Sequence, residues 1–265
     1  MQFTPDSYPE TNKNNYRYMK VKTILVSQPE PKVENSPYFD LQNKHKVKVD
    51  FRPFIHVEGV SAKDVRAQKI DLNNFTAIIL TSKNGVDHFF RVADEMRYKI
   101  PEGLKYFCQS EAIAFYLQKY ITYRKRKIYV GLKDFADMTN LLKKYKEEKF
   151  LLPASDQLNA DAPITLNNLK LNWTQATFYK TVMSDLSDLA DVYYDVLAFF
   201  SPTGIKSLFM NFPDFEQNQT RIAVFGSTTQ KEALEHGLRV DIMAPTPESP
   251  SMTMALEKYI AKANK

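Results

Sequence analysis

Glycine and cysteine are the scarce residues of this 265-residue chain, which holds seven of the first and a single Cys108 of the second. So few glycines leave no G-x-x-x-x-G-K-[ST] loop and no G-x-G-x-x-G fingerprint, which removes the usual support for nucleotide hydrolysis and dinucleotide redox chemistry. They also argue against propellers and low-complexity arrays. One cysteine excludes an intrachain disulfide framework and a thiolate zinc cluster and suits a reducing compartment, so a cytoplasmic location is expected. The four histidines, His45, His56, His88 and His236, lack ligand spacing, and neither H-E-x-x-H nor C-x-x-C occurs, so no metal is expected. Each histidine reads as a surface or packing residue. Spacing leaves a Ser-His-Asp triad open, but there is no G-x-S-x-G elbow to present its serine. No apolar run reaches 18 residues, and the first 20 residues hold none of signal-peptide length. No membrane contact is expected, and residues 1–20, from their Asn, Pro, Ser and Lys content, read as a flexible leader.

What is abundant is apolar and aromatic. At 43% apolar and 13% aromatic content the chain can bury two ordinary domain cores built from Leu, Ile, Val, Phe and Tyr. The net charge of +5 favours an anionic partner: nucleic acid, a membrane surface or a polycarboxylate. The densest basic run, residues 124–127 (RKRK), has no basic-aromatic stripe beside it and reads as a solvated loop before a strand, so nucleic acid is not the expected partner.

Short apolar runs at 23–26, 76–80, 104–107, 128–130, 150–152, 196–200, 222–225 and 240–243 are mostly followed by a small or polar residue and then by helical periodicity. Strand, turn and helix thus alternate, which predicts parallel sheets with helices on both faces. The pattern also repeats. Ser82-x-x-Gly85-Val86-x-x-Phe89-Phe90 has a counterpart 119 residues on in Ser201-x-x-Gly204-Ile205-x-x-Leu208-Phe209. Phe107-Cys108-Gln109-Ser110 pairs with Phe225-Gly226-Ser227-Thr228 at 118, and Met138-Thr139-x-x-Leu142-x-Lys144-Tyr145 with Met252-Thr253-x-x-Leu256-x-Lys258-Tyr259 at 114. Three collinear pairs indicate two similar halves.

Each half needs an opening strand, and the candidates are 22–26 and 149–152. Residues 48–57 (KVDFRPFIHV) and 171–182 (LNWTQATFYKTV) are extended and β-rich. Read as linkers, they make residues 54–180 a domain inserted into an outer domain of 21–52 plus 183–265. The expected fold class is α/β: two similar doubly wound parallel-sheet domains, one inserted in the other, joined by two extended β linkers. The linkers would act as a hinge, with a ligand cleft between the domains.

Hydroxyl residues stand where predicted strands hand over to helices: Thr81 and Ser82, Ser110, Ser155, Ser201 and Thr203, and Ser227, Thr228 and Thr229. Such residues are favoured N-caps with or without a ligand. Strand ends of parallel sheets are also where ligands bind, and free helix N–H groups attract carboxylates. A polycarboxylate substrate fits that chemistry.

The same residues carry a family resemblance. Residues 198–204 (AFFSPTG), with Ser201, Thr203 and Gly204, resemble the "F-S-P-S-G" segment of uroporphyrinogen-III synthases. Residues 222–229 (IAVFGSTT) resemble that family's "I-G-x-T-T/A", and 232–238 (EALEHGL) with 244–247 (APTP) its "A-L-x-x-G-L … A-x-x-P". In the inserted half, 80–86 (LTSKNGV), with Lys83 and Asn84, resembles "F-T-S-x-N-A-V". The resemblance runs from about residue 22 onward and is densest after 196. It implies the same inserted-domain pair and a cofactor-free reaction; a monomer is the expected state of the chain. Hydroxymethylbilane would lose its hydroxyl, turn ring D through a spiro intermediate and close to uroporphyrinogen III. It also implies an acid at Tyr179, since 178–181 (FYKT) matches the family's "V-Y-x-T" setting. In two places the chain departs from the pattern: Ser27-Gln28 stands where the family often has an arginine, and Cys108-Gln109-Ser110-Glu111 replaces Gly-x-x-Thr, placing a negative charge at Glu111. A relative that binds a tetrapyrrole without turnover, or a scaffold module, are the alternative readings.

Overall fold

In a computed structural model, which describes residues 19–122, 124, 126–131, 135–157 and 161–265, all eight apolar runs are strands. The leader, except for Met19 and Lys20, and Lys125 of the basic run lie outside the described residues; Arg124 and Arg126 are exposed and precede a strand, as expected. The first stretch of chain forms β1 (Thr23–Val26), α1 (Pro37–His45), β2 (Lys48–Phe51), β3 (Ile55–Gly59) and α2 (Ala62–Ala67). There follow β4 (Ala77–Leu80), α3 (Lys83–Glu95), β5 (Lys105–Cys108), α4 (Glu111–Leu117), β6 (Ile128–Val130), α5 (Thr139–Lys144), β7 (Lys149–Ser155), α6 (Asp161–Asn168) and β8 (Asn172–Met183). The last stretch forms β9 (Val196–Phe199), α7 (Pro202–Asn211), β10 (Arg221–Phe225), α8 (Ser227–Glu235), β11 (Val240–Ala244) and α9 (Met252–Ala263).

The described chain forms two compact units, residues 19–56 with Val182–Lys265, and Val57–Thr181. The first holds a parallel sheet in the order β11-β10-β9-β1-β2, and the second a sheet in the order β3-β8-β7-β4-β5-β6, parallel from β8 to β6. Aligning β9 with β4 and β1 with β7 superposes the two orders strand for strand, with β3 added at one edge. The first unit takes its strands in chain order β1, β2, β9, β10, β11, whereas the second begins with the equivalent of β9. The halves are therefore related by circular permutation, and this is why the repeat pairs start late in one copy.

Two details differ from the sequence reading. Cys108 lies in register with Leu80, and Val224 with Phe199, so the second repeat pair is offset by 116 residues rather than 118. The helix caps agree, with Ser110 matched by Gly226. Residues 48–57 are also not one linker. Lys48–Phe51 is the edge strand of the first sheet, held there by the buried Val49, and β3 begins only after a break at 52–54. The chain passes from one unit to the other within β3 and returns within β8.

The strands read as continuous apolar runs because both faces of each sheet are covered. Alternation sorts their side chains: in β1 and β9, Ile24, Val26, Val196 and Ala198 pack on one face, and Leu25, Leu197 and Phe199 on the other. In β4 and β5, Ile78, Leu80, Tyr106 and Cys108 oppose Ala77, Ile79 and Phe107 in the same way. Each such Leu, Ile or Phe contributes about 1.5–3 kcal/mol by leaving water. Scarce glycine leaves its mark at helix ends. Lys46, Lys69, Arg97 and Lys170, just beyond α1, α2, α3 and α6, adopt left-handed backbone with φ of 53, 62, 56 and 53°. That conformation is disfavoured for residues with a Cβ by about 1 kcal/mol, which the attraction of a cation for the last helical carbonyls partly offsets.

Candidate active site

In the second unit, neighbouring β4 and β7 send their connections in opposite directions, β4 towards β5 and β7 towards β8. Their carboxyl ends thus flank a switch point, the place where open parallel sheets bind ligands. Three of the expected residues meet there. Ser82, directly after β4, caps α3 by accepting from the Gly85 N–H at 2.9 Å. Ser155 ends β7 in register with Tyr179 of β8. The Tyr179 hydroxyl reaches Ser82 Oγ at 2.9 Å. Gly85 permits the approach of α3, since a Cβ there would stand 3.3 Å from the Pro153 carbonyl oxygen.

Tyr179 is buried, at 7% exposure, and its ring stacks on His88 with centroids 5.2 Å apart and planes 19° from parallel. The Arg91 Nε–H donates to His88 Nδ1 at 3.1 Å, which leaves Nε2 as the protonated nitrogen. Arg91 is itself held by the carbonyls of Val60 and Phe178 and by Glu95. Burial, then the Arg91 charge, lowers the His88 pKa, so the ring is neutral. Asp156 follows Ser155. Its carboxylate accepts from Ser155 Oγ at 2.9 Å and the Thr181 N–H at 3.1 Å, and its own N–H donates to the Tyr179 carbonyl. Burial raises the Tyr179 pKa, with the Asp156 charge adding to the rise and the Ser82 bond opposing it. Tyr179 is thus a protonated phenol at neutral pH. His88, Arg91 and Asp156 were not singled out from sequence; the spacing of Ser82, His88 and Arg91, six and then three residues along a capped helix, was the available signal.

None of the other expected residues of this unit bonds to the pair through its side chain. Thr81 is half-buried. Lys83 and Asn84 are exposed in the first turn of α3, with Lys83 Nζ 5.4 Å above the Tyr116 ring. Ser110 caps α4 without a side-chain bond, and Glu111 is exposed beside it. Among the described residues, no group of three His, Cys, Asp or Glu side chains is placed to hold a metal ion.

In the first unit the equivalent switch point lies between β1 and β9. Ser201 repeats the Ser82 cap, accepting from the Gly204 N–H at 3.2 Å. Ser27, at the position of the missing arginine, is buried near Gly204: a Cβ on Gly204 would stand 3.9 Å from Ser27 Oγ. Ser227 and Thr228 are exposed in the first turn of α8, whose cap is Gly226 at φ 87°, while Thr229 is buried on the inner face of that helix and offers nothing outward. Thr203 is half-buried.

Beside these hydroxyls lies a concavity of about 350 Å³ that sequence reasoning did not find. Four rings line it: Tyr38, Phe51 at the end of β2, Phe200 after β9 and Phe225 at the end of β10. The N-caps of α1 and α9, Ser36 and Ser251, complete the wall. Phe200 and Phe225 stack at 6.0 Å, and Tyr38 meets Phe51 edge-on at 5.3 Å. An apolar aromatic floor beside two helix N-termini suits a flat apolar ring that carries acid groups. For Phe200 and Phe225 the signal was an aromatic residue directly preceding a helix cap, which periodicity assigns to the core.

The model of the uroporphyrinogen-III synthase HemD family matches residues 40–254. The chain belongs to the uroporphyrinogen-III synthase family. A curated relative, the uroporphyrinogen-III synthase of Chlorobaculum parvum, is 24% identical over 254 residues, covering 91% of this chain and all of its own. Among solved structures, the uroporphyrinogen-III synthetase of Helicobacter pylori matches 91% of this chain and 99% of its own with a TM-score of 0.58 at 17% identity. A mutant uroporphyrinogen III synthase from Thermus thermophilus matches the same shares with a TM-score of 0.52 at 14% identity. At such identities the structures establish the α/β fold of two parallel-sheet domains, while the family match makes the chain an enzyme of the cyclising lyase type in tetrapyrrole biosynthesis. Among the described residues no helix is long and apolar enough to cross a membrane.

Proposed function

We propose that this chain converts hydroxymethylbilane to uroporphyrinogen III, with Tyr179 and Ser82 delivering the proton that releases the hydroxyl group as water. The observation that carries the residue assignment is the 2.9 Å contact between the hydroxyl of Tyr179, on β8 level with the carboxyl end of β7, and that of Ser82, just beyond β4. Ser82 Oγ accepts from Gly85 N–H and has a second lone pair for the Tyr179 O–H, which leaves its own proton to donate outward. Because Tyr179 is buried and Ser82 only partly so, Ser82 is the member that meets substrate, and the proton passes Tyr179 to Ser82 to the leaving oxygen.

The C–O bond breaks with its electron pair on the departing water, and a pyrrole nitrogen supplies electrons to the carbon left behind. The substituted carbon of ring D attacks, the spiro intermediate reopens, and closure at the freed position expels a proton that restores the Tyr179 phenol. The protein mainly holds the chain folded for that attack. Backbone N–H groups at the caps, with Thr81, Lys83, Asn84, Ser110, Ser155, Ser201, Thr203, Gly204, Ser227 and Thr228 around them, receive the carboxylates. The rings of Phe200 and Phe225 receive a pyrrole face. The chain works as a cytoplasmic monomer in this reading, a setting in keeping with its single buried cysteine.

The test is incubation of purified protein with hydroxymethylbilane, oxidation of the products to porphyrins and separation of the isomers. Type III product supports the reading. Type I product alone, the outcome of spontaneous closure, refutes it and leaves a binding protein or scaffold.

A further inference from the structure

We propose that the second unit carries, at the amino end of its sheet, a binding site for a small polyanion with two or more carboxylate or phosphate groups. The end of α2, the turn that leads into β4 and the end of α3 surround a concavity of about 700 Å³, within the range of about 300–1,000 Å³ usual for small-molecule pockets. It lies at the opposite end of these strands from Ser82 and Tyr179, and the inference stands independently of the reaction assigned to them.

Four of the five charged residues of its lining are cations. Arg66, Lys69, Arg97 and Lys99 line it, and none of the four makes a side-chain hydrogen bond or ion pair among the described residues. The one carboxylate of the lining, Asp71, is turned to its own loop, accepting from the Asn73 N–H at 3.0 Å and from the Asn73 side-chain amide at 2.8 Å. Some other cations of this unit have partners, Lys105 with Glu148, Lys119 with Asp87 and Arg91 with Glu95. Single ones such as Lys63 and Lys143 have none among the described residues; what sets Arg66, Lys69, Arg97 and Lys99 apart is that they share one concavity. The floor is apolar, built from the buried Ile70 and Leu72 and the half-buried Tyr98. Low-dielectric walls beneath a net positive charge focus the field into the concavity and concentrate counter-ions there. Four cations spaced around one opening match a ligand with several acid groups better than a single anion.

The backbone offers a clean perturbation. Lys69 and Arg97 sit at φ 62 and 56°, a region asparagine tolerates better than most residues with a Cβ, so Lys69→Asn with Arg97→Asn removes two charges without straining either helix end. The experiment is calorimetric titration of the full chain at low salt with two probes, pyrophosphate and citrate. Saturable binding of one equivalent of either probe, weakening steeply as salt rises, supports the site, and the preferred probe identifies phosphate or carboxylate as its chemistry. The double variant should bind at least about tenfold more weakly, with its melting temperature unchanged and a shallower salt dependence. A control pair on other surfaces, Lys143→Gln with Lys262→Gln, should bind as the parent does. Absence of saturation with both probes, unaltered affinity in the double variant, or an equal loss in the control pair would overturn the proposal.

Discussion

Replacing Tyr179 by phenylalanine removes one oxygen and leaves the ring on His88, so its effects on fold and on rate separate by size. The lost contact is the 2.9 Å bond to Ser82 Oγ, which keeps the Gly85 N–H as a partner and is left with no unpaired buried group. A neutral hydrogen bond of this kind contributes about 0.5–1.5 kcal/mol to stability. In a chain of this length that lowers the melting temperature by roughly 1–6 °C, at about 2–4 °C per kcal/mol. A general acid contributes about 10²–10⁴-fold to rate, which at 1.4 kcal/mol per factor of ten is about 3–5.5 kcal/mol of barrier. The variant should therefore stay folded, form type III product, and show kcat reduced by about 10²–10⁴ with KM little changed. The assay is initial-rate formation of type III uroporphyrin from hydroxymethylbilane, corrected for spontaneous type I closure, beside a thermal melt. If kcat falls by less than about threefold, short of the range for a proton donor, Tyr179 is not the acid.

Other outcomes follow from the same geometry. Ser82→Ala should cost about 1 kcal/mol as a lost helix cap and also lower kcat, whereas Ser201→Ala should show the stability loss without the large rate effect; equal rate effects in a kinetic comparison would refute the Ser82 relay. Gly204→Ala should leave the melting temperature unchanged or raised, because a Cβ there makes only ordinary contacts with Phe199 and Ser201; Gly131→Ala should lower it, since its Cβ would come within 2.7 Å of the Gln109 carbonyl oxygen. The Cys108 thiol is buried and pushed up to about 12 by that burial. It should resist thiol reagents at pH 8 until urea unfolds the chain, and labelling of folded protein would contradict that placement. Tyr38 and Tyr194 are raised to about 12, chiefly by burial, and Tyr179 is raised as well. In the unfolded chain these groups ionise near pH 10, so stability is full below pH 10 and falls as pH climbs from 10 to 12. Urea midpoints measured beside tyrosinate absorbance would expose a flat profile, the result that contradicts this assignment.

The strands were legible because parallel sheets buried on both faces write themselves as unbroken apolar runs, and the Ser-x-x-Gly caps because a serine hydroxyl and the third helical N–H meet at a fixed spacing. That sufficed for the α/β class, the paired halves and the family resemblance. Less legible were the edge elements. β2, at the edge of its sheet, and β8, covered on its outer side only by the short β3, look like linkers in sequence because their patterns mix polar and apolar residues, and only pairing with β1 and β7 makes them sheet.

The permutation of the halves was equally beyond local pattern, since it depends on which strand pairs with which. For the site, the sequence by itself put hydroxyls at strand ends and a tyrosine on a β-rich stretch. Tertiary structure decided that Tyr179 reaches past β7 to Ser82, that His88 and Asp156 set its surroundings, that Thr229 faces inward, and that four rings from separate segments share one concavity. Such choices belong to register and packing across long sequence distances, and no periodicity within a segment encodes which residues from different strands will converge.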